Sequence, residues 1–131
     1  MIYLDSSALL KLLHEERESV ALEQWISARA GTPAVSSVLA KVEVIRASRR
    51  LNAAALPAAR ALLAGVDLIP LTSDLVDEAA EAGEPLLRSL DAIHLVSALS
   101  IRAELSAFVA YDSRLAEAGA AAGLDPVRPG T

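Results

Sequence analysis

At 131 residues the chain has the length of one ordinary domain, with room for a single hydrophobic core. Its 53% apolar fraction excludes disorder, its few aromatics (one Trp, two Tyr, one Phe) argue against an all-β design, and its lack of cysteine excludes disulfides and zinc–thiolate sites. The net charge of −5 weighs against a nucleic-acid partner, and with no secretion signal and no apolar run of roughly 18 residues, a soluble cytoplasmic protein is expected.

Residues 2–5 (IYLD) predict a strand and Ser7–Leu13 a short helix. Glu18–Arg29 predicts a second helix, with Val20, Leu22, Trp25 and Ile26 on its apolar side. Pro33–Ser36 reads as a strand. Ser37 then caps a helix reaching about Leu51, its turns marked by Val38, Val42, Ile45 and Arg49. Leu56–Ala64 is a further helix, with Pro57 suited to its first turn and Gly65 to its stop. Asp67–Leu71 is a third strand, placed at a sheet edge because Pro70 lacks an N–H to donate. Thr72-Ser73-Asp74 opens a helix towards Ala82, broken by Gly83-Glu84-Pro85. Leu90–Ala103 is a long apolar helix, Phe108–Asp112 a fourth strand, Ser113–Ala122 a last helix ended by Gly123, and Pro126–Arg128 a short fifth strand. Strands separated by helices imply parallel crossovers, hence one α/β/α sandwich over residues 1–131.

Two of the strands end alike: IYLD-S and FVAYD-S each run into Asp, then Ser, then a helix. Asp5 and Asp112 each suit a helix cap. In a parallel sheet, both also stand at the carboxyl edge where ligands bind, and if the first and fourth strands are neighbours they flank the switch point. Glu43 and Asp91 are acids set within apolar helices. Glu43 has an ion-pair alternative with Arg46 three residues on, and Asp91 an alternative as a helix cap near His94. Buried carboxylates are otherwise unfavourable unless paired.

Were these four acids to converge, each ionised pair at about 4 Å would cost roughly 1 kcal/mol in bulk water and about 4 at an effective dielectric of 20. A hard divalent ion removes that repulsion, and all-oxygen ligands favour magnesium or manganese over zinc. Such a centre suits phosphodiester hydrolysis.

The ordered set D-S-S-A-L, S-S-V-L-A-K-V-E-V-I-R-A, L-D-A-I-H-L-V-S-A-L and Y-D-S-R-L resembles the PIN-domain ribonucleases, and within them the VapC toxins of bacterial toxin–antitoxin pairs. The resemblance spans essentially the whole chain. It implies a five-stranded parallel sheet in the order 3-2-1-4-5 and a metal-dependent endoribonuclease. Asp5, Glu43, Asp91 and Asp112 form its implied acidic group. Asp5, Asp91 and Asp112 would bind Mg2+ or Mn2+, and Glu43 would help to hold the ion or a water. It further implies Ser7 as a supporting hydroxyl, a cognate antitoxin whose tail occupies the acidic groove, and a homodimer formed through helices. Ala110 departs from the pattern, standing where many relatives carry Thr or Ser, which removes one supporting hydroxyl.

Basic residues near the acids answer the charge objection: Lys11, Arg46, Arg88 and Arg114 are candidates to hold RNA phosphates, with Arg49 and Arg50 nearby. His94 is expected to pack or hydrogen-bond within its helix, His14 to lie at the surface, and Trp25 to belong to a core or interface. Two other readings remain open: a phosphorelay receiver-like domain, which the lack of any Lys after Lys41 disfavours, and a catalytically silent interaction module.

Overall fold

Side-chain alternation along two very short central strands decides the layering. In the computed structural model, which describes residues 1–131, β1 (Ile2–Leu4), β2 (Ala34–Ser37), β3 (Asp67–Ile69), β4 (Ala107–Val109) and β5 (Pro126–Val127) form one parallel sheet. Its order is β3-β2-β1-β4-β5, the order the resemblance implies. Ile2, Leu4 and Val109 turn to one face, where they meet α1 (Ser6–Leu13), α2 (Ser19–Ser27), α3 (Leu39–Leu51) and α4 (Leu56–Ala64) through Leu9, Leu22, Val44 and Leu63. Tyr3 and Phe108 turn to the other face. There they meet α6 (Ser89–Ser100) and α7 (Ser113–Ala121) through Leu95 and Leu115. α5 (Ser73–Glu81) packs outside α6, with Leu75 and Ala79 against Ala92 and Val96. Full burial of each large side chain stabilises by about 1.5–3 kcal/mol, so a three-residue strand buried on both faces is held by its neighbours rather than by its own length.

The chain's order follows. The first two crossovers cover one face and the last two cover the other, so the change of face falls between β1 and β4. The Asp5 N–H donates to the Val109 carbonyl at 3.1 Å, fixing Asp5 at that junction.

Several expected details shift. Asp5 lies just past β1 and Asp112 well past β4, each as the N-cap of the next helix. Pro70 stands outside β3, though β3 is an edge strand. Ser37 closes β2 and is not the cap of α3, which is Val38, although its Oγ accepts the Leu39 N–H at 3.1 Å. The α3 face is turned from the expected one: Ala40, Val44 and Ala47 are buried, whereas Val42 and Arg49 are exposed. Val20 is exposed on α2 in the same way, and Trp25 is half-buried with the Arg29 guanidinium 4.0 Å above its ring. His14 is not a bare surface residue, because it is half-buried with Nε2 3.0 Å from Ser48 Oγ.

One packing contact yields a prediction whose sign helix propensity alone would miss. Gly119 sits buried in α7, and a Cβ there would lie 2.9 Å from Cε2 of the fully buried Phe108 ring. Ala is favoured over Gly inside a helix by about 1 kcal/mol, but overpacking a core costs about 1–3 kcal/mol. Gly119→Ala should therefore lower the melting temperature by a few degrees, measured by calorimetry; a rise would mean that the Phe108 ring yields freely.

Candidate active site

A cavity of about 540 Å³ opens at the carboxyl rim of the sheet, and all four acids line it. Each arrives by a different local rule. Asp5 caps α1: its Oδ1 accepts the Ala8 N–H at 2.9 Å and the Ser7 hydroxyl at 2.6 Å. Asp112 caps α7, Oδ1 accepting the Leu115 N–H at 3.0 Å. For both, the capping reading and the shared-cavity reading hold together. Glu43 comes from the second turn of α3 and Asp91 from the first turn of α6. Asp91 is not that helix's cap, which is Arg88.

Asp5 is 3% exposed and Asp91 7% exposed. Burial pushes the Asp5 carboxyl up to about 6, against the hydrogen bonds from Ser7 and Ala8 that favour its charge. Ser7 does more than support Asp5. Its oxygen also accepts the Tyr111 N–H at 3.1 Å, so one hydroxyl ties the acid after β1 to the segment leading to Asp112. Ala110 is fully buried among Tyr3, Phe108 and Leu115.

Glu43 does not pair with Arg46. Its Oε1 accepts the Ser6 hydroxyl at 2.5 Å and lies 2.8 Å from His94 Nε2. Burial raises the Glu43 carboxyl, but the interactions with His94 and Ser6, joined by the nearby Arg88 charge, outweigh it and hold the group below its ordinary range. His94 is in turn oriented from behind by the Tyr3 hydroxyl, 2.7 Å from Nδ1. Burial raises the Tyr3 phenol far above its usual range, so it keeps its proton, and His94 bridges it to Glu43 through its two ring nitrogens. The expected hydrogen-bonding role of His94 is thus filled by a Tyr3–His94–Glu43 chain. Sequence reasoning passed over Ser6 and Tyr3. The signal for Ser6 was the doubled serine after Asp5; for Tyr3, nothing local announced it.

The basic residues divide. Arg46 and Arg50 line the cavity. Arg88 also lines it, but its Nε donates to Asp91 Oδ2 and its Nη2 to Asp112 Oδ2, both at 2.8 Å. Lys11 is withdrawn: it pairs with Glu16 at 3.3 Å and Glu18 at 3.0 Å and lies 4.6 Å from the Tyr111 ring centroid. Lys11 is therefore not a cavity residue, because two nearby acids and an aromatic face hold its ammonium elsewhere. Arg114 is exposed on the first turn of α7 and likewise lies outside the cavity lining.

The acids surround the cavity without closing on one point, and no three acid or histidine side chains form a ready-made ion-holding group. Their engagements explain this: Arg88 draws Asp91 and Asp112 together, while Ser6 and His94 hold Glu43. Asp5 Oδ2, Asp91 Oδ1 and Glu43 Oε2 receive no protein donor. Three free carboxylate oxygens around one cavity, two of them on buried acids, are a donor set suited to a hard divalent cation.

Comparison with known proteins agrees with the architecture. The PIN domain family model matches residues 2–121. Ribonuclease VapC35 of Mycobacterium tuberculosis is 43% identical over 132 residues, covering 99% of this chain and 98% of that protein. Ribonuclease VapC46 of the same organism is 54% identical over a shorter stretch of 46 residues, 35% of this chain and 34% of that one. The crystal structure of M. tuberculosis VapC20, described as a sarcin–ricin loop cleaving toxin, superposes with a TM-score of 0.77 over 98% of this chain and 100% of that one; at 20% identity it speaks for the fold alone. The relationship to VapC35 runs from end to end on a shared fold, and by it the chain belongs to the VapC group of the PIN-domain family.

Proposed function

We propose that this chain is a divalent-metal-dependent endoribonuclease, the toxin of an operon pair, which cuts RNA in the cytoplasm by water attack on phosphorus. The observation that carries the reading is the gathering of Asp5, Glu43, Asp91 and Asp112 around one cavity that Arg46 and Arg50 also line. The name of the 43%-identical relative, a ribonuclease, supports it. The receiver-like alternative gives way to the family membership.

Asp5, Asp91 and Asp112 would hold Mg2+ or Mn2+, with Glu43 beside them. When bound, such an ion neutralises phosphate charge and lowers the pKa of an attacking water. The protein's own part is positioning. Ser6 and His94 fix Glu43 through Oε1, which leaves Oε2 to accept a hydrogen bond from the water. Arg46 and Arg50 hold the RNA backbone by its phosphates, which sets its register and carries no base specificity. This local cationic wall is how a chain of net charge −5 takes a polyanion. A cognate antitoxin would silence the site by laying its tail across the acids, where exposed Val42 and Leu90 line the same cavity and offer apolar anchorage. Self-association through helices completes the reading.

Asp112→Asn keeps an oxygen for the Leu115 cap and removes the charge. It should lower cleavage of total cellular RNA at least a hundredfold with little change in melting temperature, and chelation of divalent ions should silence the parent equally. Equal cleavage by variant and parent would refute the assignment of Asp112, and no metal-dependent cleavage by either would identify a catalytically silent module.

The raised Asp5 carboxyl makes a separate prediction about metal-free stability. Its folded value of about 6 exceeds the ordinary 3.8, so the folded state binds this proton more tightly than the unfolded chain. The resulting penalty is absent below about pH 4, grows through pH 6, and amounts to on the order of 2–3 kcal/mol at neutral pH. Asp5→Asn, which retains an acceptor for Ser7 and Ala8, should therefore melt higher than the parent at pH 7 in chelator. The difference should vanish by about pH 4, followed by thermal melts across that range; a pH-independent difference would contradict the assignment.

A further inference from the structure

Asp112 has no idle oxygen. Oδ1 accepts the Leu115 N–H and Oδ2 accepts Arg88 Nη2. Asp91 gives Oδ2 to Arg88 Nε and keeps Oδ1 free. A guanidinium edge that commonly grips one carboxylate with two parallel N–H groups is here split between two carboxylates, 21 positions apart in the chain. Neither Asp5 nor Glu43 receives a hydrogen bond from it, although its nearby charge helps to lower the Glu43 carboxyl. The four acids thus fall into two pairs: one pair bridged by the hydrogen bonds of an internal cation, the other not. Arg88 is also placed to let go. Its side chain is 56% exposed, and it stands at the extended N-cap of α6, directly after the Gly83–Leu87 turn.

We propose that Arg88 is a built-in counter-cation that competes with the divalent ion for Asp91 and Asp112. It rests on the reading of these acids as ion ligands. In the ion-free protein, Arg88 bridges Asp91 and Asp112 through one N–H to each. Loading begins on the oxygens it leaves alone, Asp5 Oδ2 and Asp91 Oδ1, and Asp112 contributes only as Arg88 withdraws. A guanidinium and a hard cation cannot share one carboxylate oxygen at full strength, and their mutual repulsion makes each weaken the other's hold.

The test is Mn2+ affinity, read from the spin-resonance signal of free Mn2+ at a fixed ionic strength of about 0.1 M, with no RNA present. Arg88→Gln should tighten Mn2+ binding about tenfold. Arg46→Gln removes the same formal charge from the same cavity without breaking a bond to an acid, and should tighten it by no more than about threefold. Arg88→Lys keeps the charge but not the split grip, and should fall between. Asp112→Asn should weaken binding by less than about threefold in the parent and by about tenfold or more in the Arg88→Gln background, a non-additive cycle. Equal tightening by the two glutamine variants, or an additive cycle, would reduce Arg88 to a contributor of net charge and overturn the proposal. If Asp5→Asn leaves Mn2+ affinity untouched, the ion-ligand reading itself falls, a result separate from failure of the Arg88 cycle alone.

Discussion

A negative charge withdrawn from water at the junction of β1 and β4 sets the terms for everything near it. Asp5 is held there by its own backbone, donating to Val109, and by two donors to its carboxylate. Those bonds place the charge but do not neutralise it, and burial pushes the carboxyl up to about 6. The position is dictated by topology. A parallel sheet that changes its covering face between two strands leaves a crevice at their carboxyl ends, and the residues that follow those strands must line it.

The protein handles the remaining acids in two different ways. Glu43 is stabilised by a relay of buried partners running from Tyr3 in β1 through His94 in α6, so its direction is fixed by the strand that Asp5 follows. Asp91 and Asp112 are stabilised by a charged partner, Arg88, that is half outside. Buried partners make a stiff arrangement, because breaking one leaves an unpaired group in a dry interior. Of the two Arg88 contacts the one to Asp112 is open to water, and an exposed ion pair contributes little net free energy and exchanges readily with water or another cation. One side of the cavity is therefore rigid and the other adaptable.

Much of this was legible in the sequence because it is local. The Asp-Ser steps after two apolar runs report strand, cap and rim at once, and the alternation of helices with strands reports the parallel sheet. What was not legible depended on distance or on rotation about a helix axis. Val42 and Val20 are apolar by type, but the core-facing side of a helix is set by where the sheet lies, which no count of apolar residues along α3 reveals. Lys11 was read as a phosphate contact, yet Glu16 and Glu18, a turn downstream, capture it. The spacing of Arg88 to Asp91 was visible; its second bond, to Asp112, spans 24 residues and exists only once β4 lies beside β1. Tyr3, whose hydroxyl lies 91 residues from its partner, could only be found in three dimensions.

Two of the acids do double duty, since Asp5 and Asp112 each terminate a segment and start a helix with the same carboxylate that lines the cavity. Loss of either side chain removes a helix cap, worth about 1 kcal/mol, together with the charge. Chemistry and architecture are therefore inherited through the same codons. A descendant relieved of any need to cut would drift towards asparagine at these two positions, which preserves the turn, and seldom towards alanine. Descendants that kept the shape but abandoned the reaction would carry that amide signature.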